Sequence, residues 1–447
     1  MRAKLTIPTE VLSDIFHLLC DAPIALHDLT NESRFHEFPW AVGQVCRHWR
    51  GAFLSYAHLW TSFALKSGNF SGAYYAEMNR RAAIYLERSG QQPLTILVSG
   101  LLCLRTEKFP KTVWRMLLSC LKRWKKADLE LGHGAALDEL LKCRGYMSSL
   151  ESLRMSIPDS TALKNSNAFE VAPHLTELHL AYLGFAATWQ FPWAQLTKLK
   201  LEVFHTEFDN YSNNIWGVLF QLQTVEWLTI TTAPYYDPSL PSSLPIIHLP
   251  CLRFLEIPLA TILSWFTAPL LEHLHVYGCN AFGAYNYFHN DQPYERELTS
   301  LIQRSSCHIR RLTLENCRTE EMRIIIKTLD SVEELSVNYP SSPAIIQDVT
   351  GLDGCIYLPK LQVLQVTCIV PANHVKIAVG SFSRLLEARG KGLSLASHDI
   401  VPLEKFVVWL TVRGKCPDKA LNMVRGWPSF AQVYINGSVF KRSNPSA

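Results

Sequence analysis

Leu252-Arg253-Phe254-Leu255-Glu256-Ile257, echoed by Leu271-Glu272-His273-Leu274-His275-Val276, sets the architecture of this chain. Each phrase reads apolar, two variable residues, Leu, one variable residue, apolar. The last two apolar positions alternate with polar ones, which suits a short strand with one buried face. The phrase recurs upstream at Leu150-x-x-Leu153-x-Met155, Leu175-x-x-Leu178-x-Leu180, Leu196-x-x-Leu199-x-Leu201 and Val225-x-x-Leu228-x-Ile230. Downstream it recurs at Ile309-x-x-Leu312-x-Leu314, Val332-x-x-Leu335-x-Val337 and Leu361-x-x-Leu364-x-Val366, with Phe430-x-x-Val433-x-Ile435 as a possible last member.

The spacing runs mostly between about 20 and 30 residues, in or near the leucine-rich-repeat range. A strand this short cannot stand alone, so neighbours must stack in a parallel array with helical or irregular returns. The expected fold is an α/β (α+β) solenoid: an irregular leucine-rich-repeat horseshoe over 127–440, with parallel strands on its concave face and a flexible tail at 441–447. Pro173, Pro250, Pro269 and Pro359 precede phrases, where a missing N–H is harmless. The segment 233–245, with four prolines, and the aromatic segment Phe282–His289 read as inserted loops, either binding loops or plain connections. Residues flanking the buried pair would share one surface, including Glu177, His179, Lys198 and Lys200. Among them Trp227, Phe254, His273, His275, Tyr277 and Arg311 form the candidate binding surface. Trp, Tyr and Arg are the types enriched at interface hot spots, although Trp227 and Phe254 read equally well as packed under loops.

The N-terminal sixty residues follow a different period. In Ile7-Pro8-Thr9-Glu10-Val11-Leu12-Ser13-Asp14-Ile15-Phe16, Pro8 suits a first helical turn and Glu10 faces the positive end of the helix dipole. Val11, Leu12, Ile15, Phe16 and Leu19 fall at helical spacing, read as one apolar stripe. Val42, Val45, Cys46 and Trp49 repeat that spacing, with Arg47, His48 and Arg50 on the wet face. Two helices this short leave apolar surface over, the composition of a partner site. Taken singly, each stripe also reads as the core of an ordinary helical hairpin.

The ordered set Ile7-Pro8-x-Glu10-x-Leu12-x-x-Ile15-Phe16, Val45-Cys46-Arg47-x-Trp49-Arg50 and Leu59-Trp60 resembles an F-box. The resemblance implies an all-helical domain over 1–64 that binds the small Skp-type adaptor of a cullin–RING ubiquitin ligase. It assigns Ile7, Pro8, Leu12, Ile15, Phe16, Val45, Cys46 and Trp49 to adaptor contact or to support of the contacting helices. The insert at 20–39 is longer than in many F-boxes, yet it is common in the large F-box family of mushroom-forming fungi. Tyr85–Ile96 reads as helix, turn, strand, and Trp114–Trp124 as a helix leading into strand-like Ala127–Leu131. Both resemble the segments that join F-box to repeats in that family, and 65–126 is expected to be a helical linker. In such proteins the repeat domain holds the client. The alternative is a non-ligase scaffold with an F-box-like segment.

Composition and length allow a folded body of two or three domains. At 447 residues and 48% hydrophobic content, a sizeable core is available, and the net charge of +4 is spread out. The basic run Lys122-Arg123-Trp124-Lys125-Lys126 extends into no stripe and reads as a solvated helix end, so no nucleic-acid partner is expected. Twelve cysteines form no Cys-x-x-Cys pair, which points to free thiols inside the cell, in cytoplasm or nucleus. The apolar stretch Ile257–Leu271 is broken by Pro258 and Pro269, and no membrane association is expected.

No catalytic set, metal or cofactor is expected. Gly390-Lys391-Gly392 lacks the other parts of a phosphate loop, and Ser381 and Ser383 sit in no nucleophile elbow. His273-x-His275 lacks a third ligand and reads as a solvent-facing pair. Of Arg310-Arg311, alternation lets at most one face a client phosphate.

Overall fold

The computed structural model describes residues 7–19, 24–25, 42–66, 71–99, 111–131, 135–157, 167–181, 189–203, 217–232, 246–258, 263, 265–277, 294–317, 319–338, 358–389, 401–413, 416, 418–429 and 431–439. The two inserted loops, Gly390-Lys391-Gly392, Phe430 and the tail lie outside the described residues, as does most of the 20–39 insert. The chain divides into two compact units, Met1–Gln221 and Leu222–Ala447. Each is α/β and built on parallel strands taken in sequence order.

In the first unit, β1 (Ile24–Ala25), β2 (Ser62–Lys66), β3 (Leu94–Ser99), β4 (Trp124–Glu130), β5 (Ser152–Ser156), β6 (Glu177–Ala181) and β7 (Lys198–Val203) pair successively in parallel. Helices α1 (Thr9–Leu19), α2 (Val42–Val45) and α3 (Arg47–Ser55) precede β2, and α4 (Gly72–Arg88), α5 (Lys111–Ser119) and α6 (Ala135–Leu141) return the chain between strands.

In the second unit, β8 (Trp227–Thr232), β10 (Phe254–Pro258), β12 (His273–Tyr277), β13 (Arg311–Glu315), β14 (Glu334–Asn338), β15 (Val363–Pro371), β16 (Lys405–Arg413) and β17 (Ala431–Ile435) form the parallel ladder. A two-stranded pair, β9 (Ile247–His248) with β11 (Phe266–Thr267), lies apart from it. Helices α7 (Tyr294–Ser305), α8 (Thr319–Thr328), α9 (Val375–Arg389) and α10 (Asp418–Arg425) are the returns. One antiparallel hairpin ends the ladder, β17 to β18 (Ser438–Val439), across Asn436 and Gly437 at φ 50° and 78°. Asn-Gly is the dipeptide that accepts two successive left-handed residues most readily.

All nine phrases from Leu150 to Val366 form strands, and each alternating pair is buried, from Leu153 and Met155 to Leu364 and Val366. Their leading residues, such as Leu252 and Leu271, are buried as well. Register is pinned at several strand starts by one carbonyl that accepts two consecutive N–H groups. Glu226 O takes Arg253 N and Phe254 N at 2.9 and 3.0 Å, and Arg253 O takes Glu272 N and His273 N at 3.0 and 2.9 Å. Glu151 O does the same for Thr176 and Glu177 in the first unit.

The repeat does not begin near 127, it does not follow a purely helical linker over 65–126, and 1–64 is not all-helical, because β1 and the start of β2 lie within it. Trp60-x-x-Phe63-x-Leu65 and Trp124-x-x-Ala127-x-Leu129 are the same phrase with aromatic or small substitutes, and all six residues are buried. Leu403-x-x-Phe406-x-Val408 is another, forming β16. The basic run is a helix end only in its first half. Lys122 and Arg123 belong to a single 3-10 turn, the buried Trp124 opens β4, and Lys125 and Lys126 continue that strand.

Candidate functional site

Two surfaces carry the sequence-predicted residues, one on each unit. In the first unit, α1 starts where Pro8 O accepts the N–H of Leu12 at 3.1 Å, so Pro8 stands just before the helix rather than in its first turn. The expected single stripe of α1 is in fact two. At 100° per residue, Leu12 and Phe16 lie on one line and Val11, Ile15 and Leu18 on its neighbour. Leu12 and Phe16 are fully buried, while Val11 is 46% and Leu18 76% exposed. Phe16 meets Trp49 edge-on at 5.7 Å and Phe53 at 6.4 Å; Phe53 in turn packs on Trp60, and Trp60 on Tyr85. Arg88 covers the Trp60 ring at 4.6 Å.

Leu12 and Phe16 therefore offer no exposed surface for contact; Phe16 is enclosed against Trp49 and Phe53 of α3. Ile7, Pro8, Val45 and Cys46 are exposed, and Ile15 and Trp49 are partly so. Cys46 also acts locally, since its Sγ accepts the N–H of Trp49 at 3.4 Å and caps α3. His48 Nε2 lies 2.9 Å from Ile7 O, fastening the segment before α1 to α3. Sequence reasoning had Val11 in the stripe but not among the contact residues, and it passed over Leu18. Their seven-residue spacing was the available signal.

On the second unit, strand register lines up the residues flanking each buried pair. Trp227, Phe254, His273, Arg311 and Glu334 are successive partners, and so are Thr229, Glu256, His275, Thr313 and Ser336. The six candidate residues do share one face. Trp227 stacks on Phe254 with centroids 3.5 Å apart, and His273 meets Phe254 edge-on at 4.6 Å. Phe254 is consequently buried at 7% exposure, whereas Trp227 remains 44% exposed. Phe254 is a shelf support, not a free contact.

The histidines are not an open, solvent-facing pair. His273 Nε2 is 3.2 Å from Thr313 Oγ1, and burial, with His275 and Arg311 adding to it, pushes its pKa down to about 4. His275 sits between two carboxylates, Nδ1 3.7 Å from Glu256 and Nε2 3.4 Å from Glu315. Trp227 Nε1 donates to Thr229 Oγ1, which donates to Glu256 Oε2, both at 3.2 Å. The Tyr277 hydroxyl donates to Ile230 O at 2.8 Å, and Arg311 pairs with Glu334 at 3.3 Å. Arg311 is thus engaged at the surface, and Arg310 faces Glu333 at 4.0 Å.

Among the described residues no group of three or more His, Cys, Asp or Glu is placed to hold a metal ion. Among them, too, no helix is long and apolar enough to cross a membrane. The chain matches no family model and no curated protein.

Proposed function

We propose that this chain is the client receptor of a cullin–RING ubiquitin ligase, with an F-box at its N-terminus and a leucine-rich-repeat-like solenoid as its client-binding body. The reading rests on one observation: α1 buries Leu12 and Phe16 while leaving Val11 and Leu18 exposed and Ile15 partly so, and Ile7 and Val45 are exposed as well. A helix with one anchored stripe and an adjacent free one is a prepared docking element, and a Skp-type adaptor is the partner its motif fits. Such a receptor performs no bond chemistry. It works inside the cell, in cytoplasm or nucleus, by holding a client near the transferred ubiquitin and raising effective concentration.

The test is co-expression of the whole chain with a Skp-type adaptor and a cullin, read by size-exclusion chromatography and calorimetry. Truncation is the wrong tool, because β2 and Trp60 belong to the repeat core. Leu18→Glu and Val45→Glu alter exposed residues and leave that core intact. Burial of one such side chain contributes roughly 1.5–3 kcal/mol, so each change should weaken adaptor binding about tenfold or more. A wild-type chain that captures no adaptor, or variants that capture it undiminished, would overturn the proposal. Capture of adaptor without cullin would make the chain a non-ligase scaffold.

A further inference from the structure

The face of the second unit carries a charge imbalance beside an exposed ring. Arg311 and Glu334 cancel each other at 3.3 Å. Among the described residues, Glu256 and Glu315 flank a single imidazole, His275, which can offset at most one of them in any protonation state. Their side chains keep 24% and 34% of their exposure, so neither carboxylate is sealed from a visiting group. Next to Glu256, through Thr229, stands Trp227 with its ring braced from below by Phe254. An indole face held rigid and open, with the Glu256 carboxylate beside it, matches a cation with an apolar stem. The carboxylate excess repels phosphate.

We propose that this ledge receives a lysine or arginine side chain from the client, laid across Trp227 with its N–H groups turned toward Glu256. The inference names the client's chemistry and rests on the receptor reading only in calling that partner a client. Trp227 supplies the ring face, Phe254 holds it at a fixed height, and Glu256 supplies the acceptor. Thr229 and His275 keep Glu256 oriented. An acidic or phosphorylated segment is excluded from this ledge by like charge.

The experiment uses the whole chain at physiological salt and short fluorescein-labelled peptides alternating Gly with Arg, Lys, Gln or Glu, followed by anisotropy. The Arg and Lys peptides should bind, and the Gln and Glu peptides should not. Trp227→Ala and the double variant Glu256→Gln/Glu315→Gln should each weaken binding about tenfold, the scale of a cation–π contact or partly buried ion pair. Trp227→Phe keeps a ring and should retain most of the affinity. The Gln substitutions are isosteric and solvent-reached, so they keep the test valid if Trp227→Ala disturbs the fold. Equal binding of the Gln and Arg peptides, or variants that bind as wild type does, would overturn the inference. Adaptor capture measured on the same preparations separates the two claims. Capture without cation preference removes this inference alone, and cation preference without capture removes the receptor reading alone.

Discussion

The two units dress the same backbone device with different side chains. On the first, the positions flanking the buried pairs are filled with charges that answer one another. Lys198 pairs with Glu177 at 2.6 Å, Lys200 and His179 with Glu202 at 2.8 and 2.9 Å, and Arg154 with Asp128 at 3.1 Å. On the second, the equivalent positions carry a stacked Trp and Phe, two half-buried histidines and carboxylates in excess. A face whose charges are satisfied internally has little to offer a partner, whereas an exposed ring beside a carboxylate that shares one imidazole with another does. Repeat architecture sets where a side chain points; only composition decides whether that direction is inert.

If the two units share one structural logic beneath these faces, equal damage below should have equal effect. Leu199 and Leu274 are both fully buried members of the inner row. Leu199→Ala and Leu274→Ala should each cost about 2–5 kcal/mol in urea unfolding, the range for a large-to-small core change. A tenfold smaller loss in one unit would show that its strands do not pack as the other's do. On the surface the expected effects shrink. Trp227→Ala removes a stacked but half-open ring and should lower stability by about 0.5–1.5 kcal/mol, the range for an aromatic pair. Its main effect should be on binding. A core-sized loss would mean that Trp227 holds the fold rather than a partner.

Acid should separate the two faces by a different route. His273 has a folded pKa near 4, below its unfolded value near 6.5. The unfolded chain therefore takes up the proton first, and stability is complete above pH 6.5 and drains as pH falls toward 4. On the first unit, the hydrogen bond from His179, with Lys200 adding to it, holds Glu202 down at about 2 against the opposing effect of burial. That contribution is present above the unfolded carboxylate pKa and is lost only as pH falls from about 4.5 toward 2. Thermal melts across this range should show the second unit weakening first, and His273→Gln should flatten the upper part of the profile. Both groups are partly exposed, so solvent screening keeps the amplitudes modest. Coincident acid transitions in wild type and His273→Gln would refute the assignment.

The strand array was legible wherever leucine filled the repeat, because Leu-x-x-Leu-x-Leu carries period 2 and position together. It was illegible where Trp60, Phe63 and Phe406 filled the same slots, and only half legible at Trp124 and Ala127. Aromatic side chains meet the volume demand of the inner row without looking like the motif. That is why β2, β16 and the true start of the ladder escape a reading based on leucine. The N-terminal helix shows the complementary limit. Spacing alone yields an apolar band over Val11–Leu19, but which half of a band is buried depends on Trp49 and Phe53 packing against Phe16, a tertiary fact. Likewise the residues flanking each buried pair were assigned to one face correctly by alternation. That Phe254 lies under Trp227 required the 3.5 Å stack itself.

The smallest predicted effect bears most directly on whether charge pairing keeps the first face from binding anions. Glu177 and Lys198 sit 2.6 Å apart with side chains 42% and 57% exposed, and the Lys198 hydrogen bond holds the Glu177 carboxyl below its usual range. Such a pair gains little in high dielectric and gives up side-chain entropy to hold its geometry. Glu177→Gln should therefore lower stability by only about 0.2–1 kcal/mol, and the difference should shrink further in high salt. It should nevertheless leave Lys198 unanswered on the surface. If the first face is quiet because its charges are paired, Glu177→Gln should make the chain bind the Gly-Glu peptide where wild type does not, in low salt and not in high. If instead the variant gains no anion affinity, pairing is not what silences that face, and the contrast between the units lies in the Trp227 shelf alone.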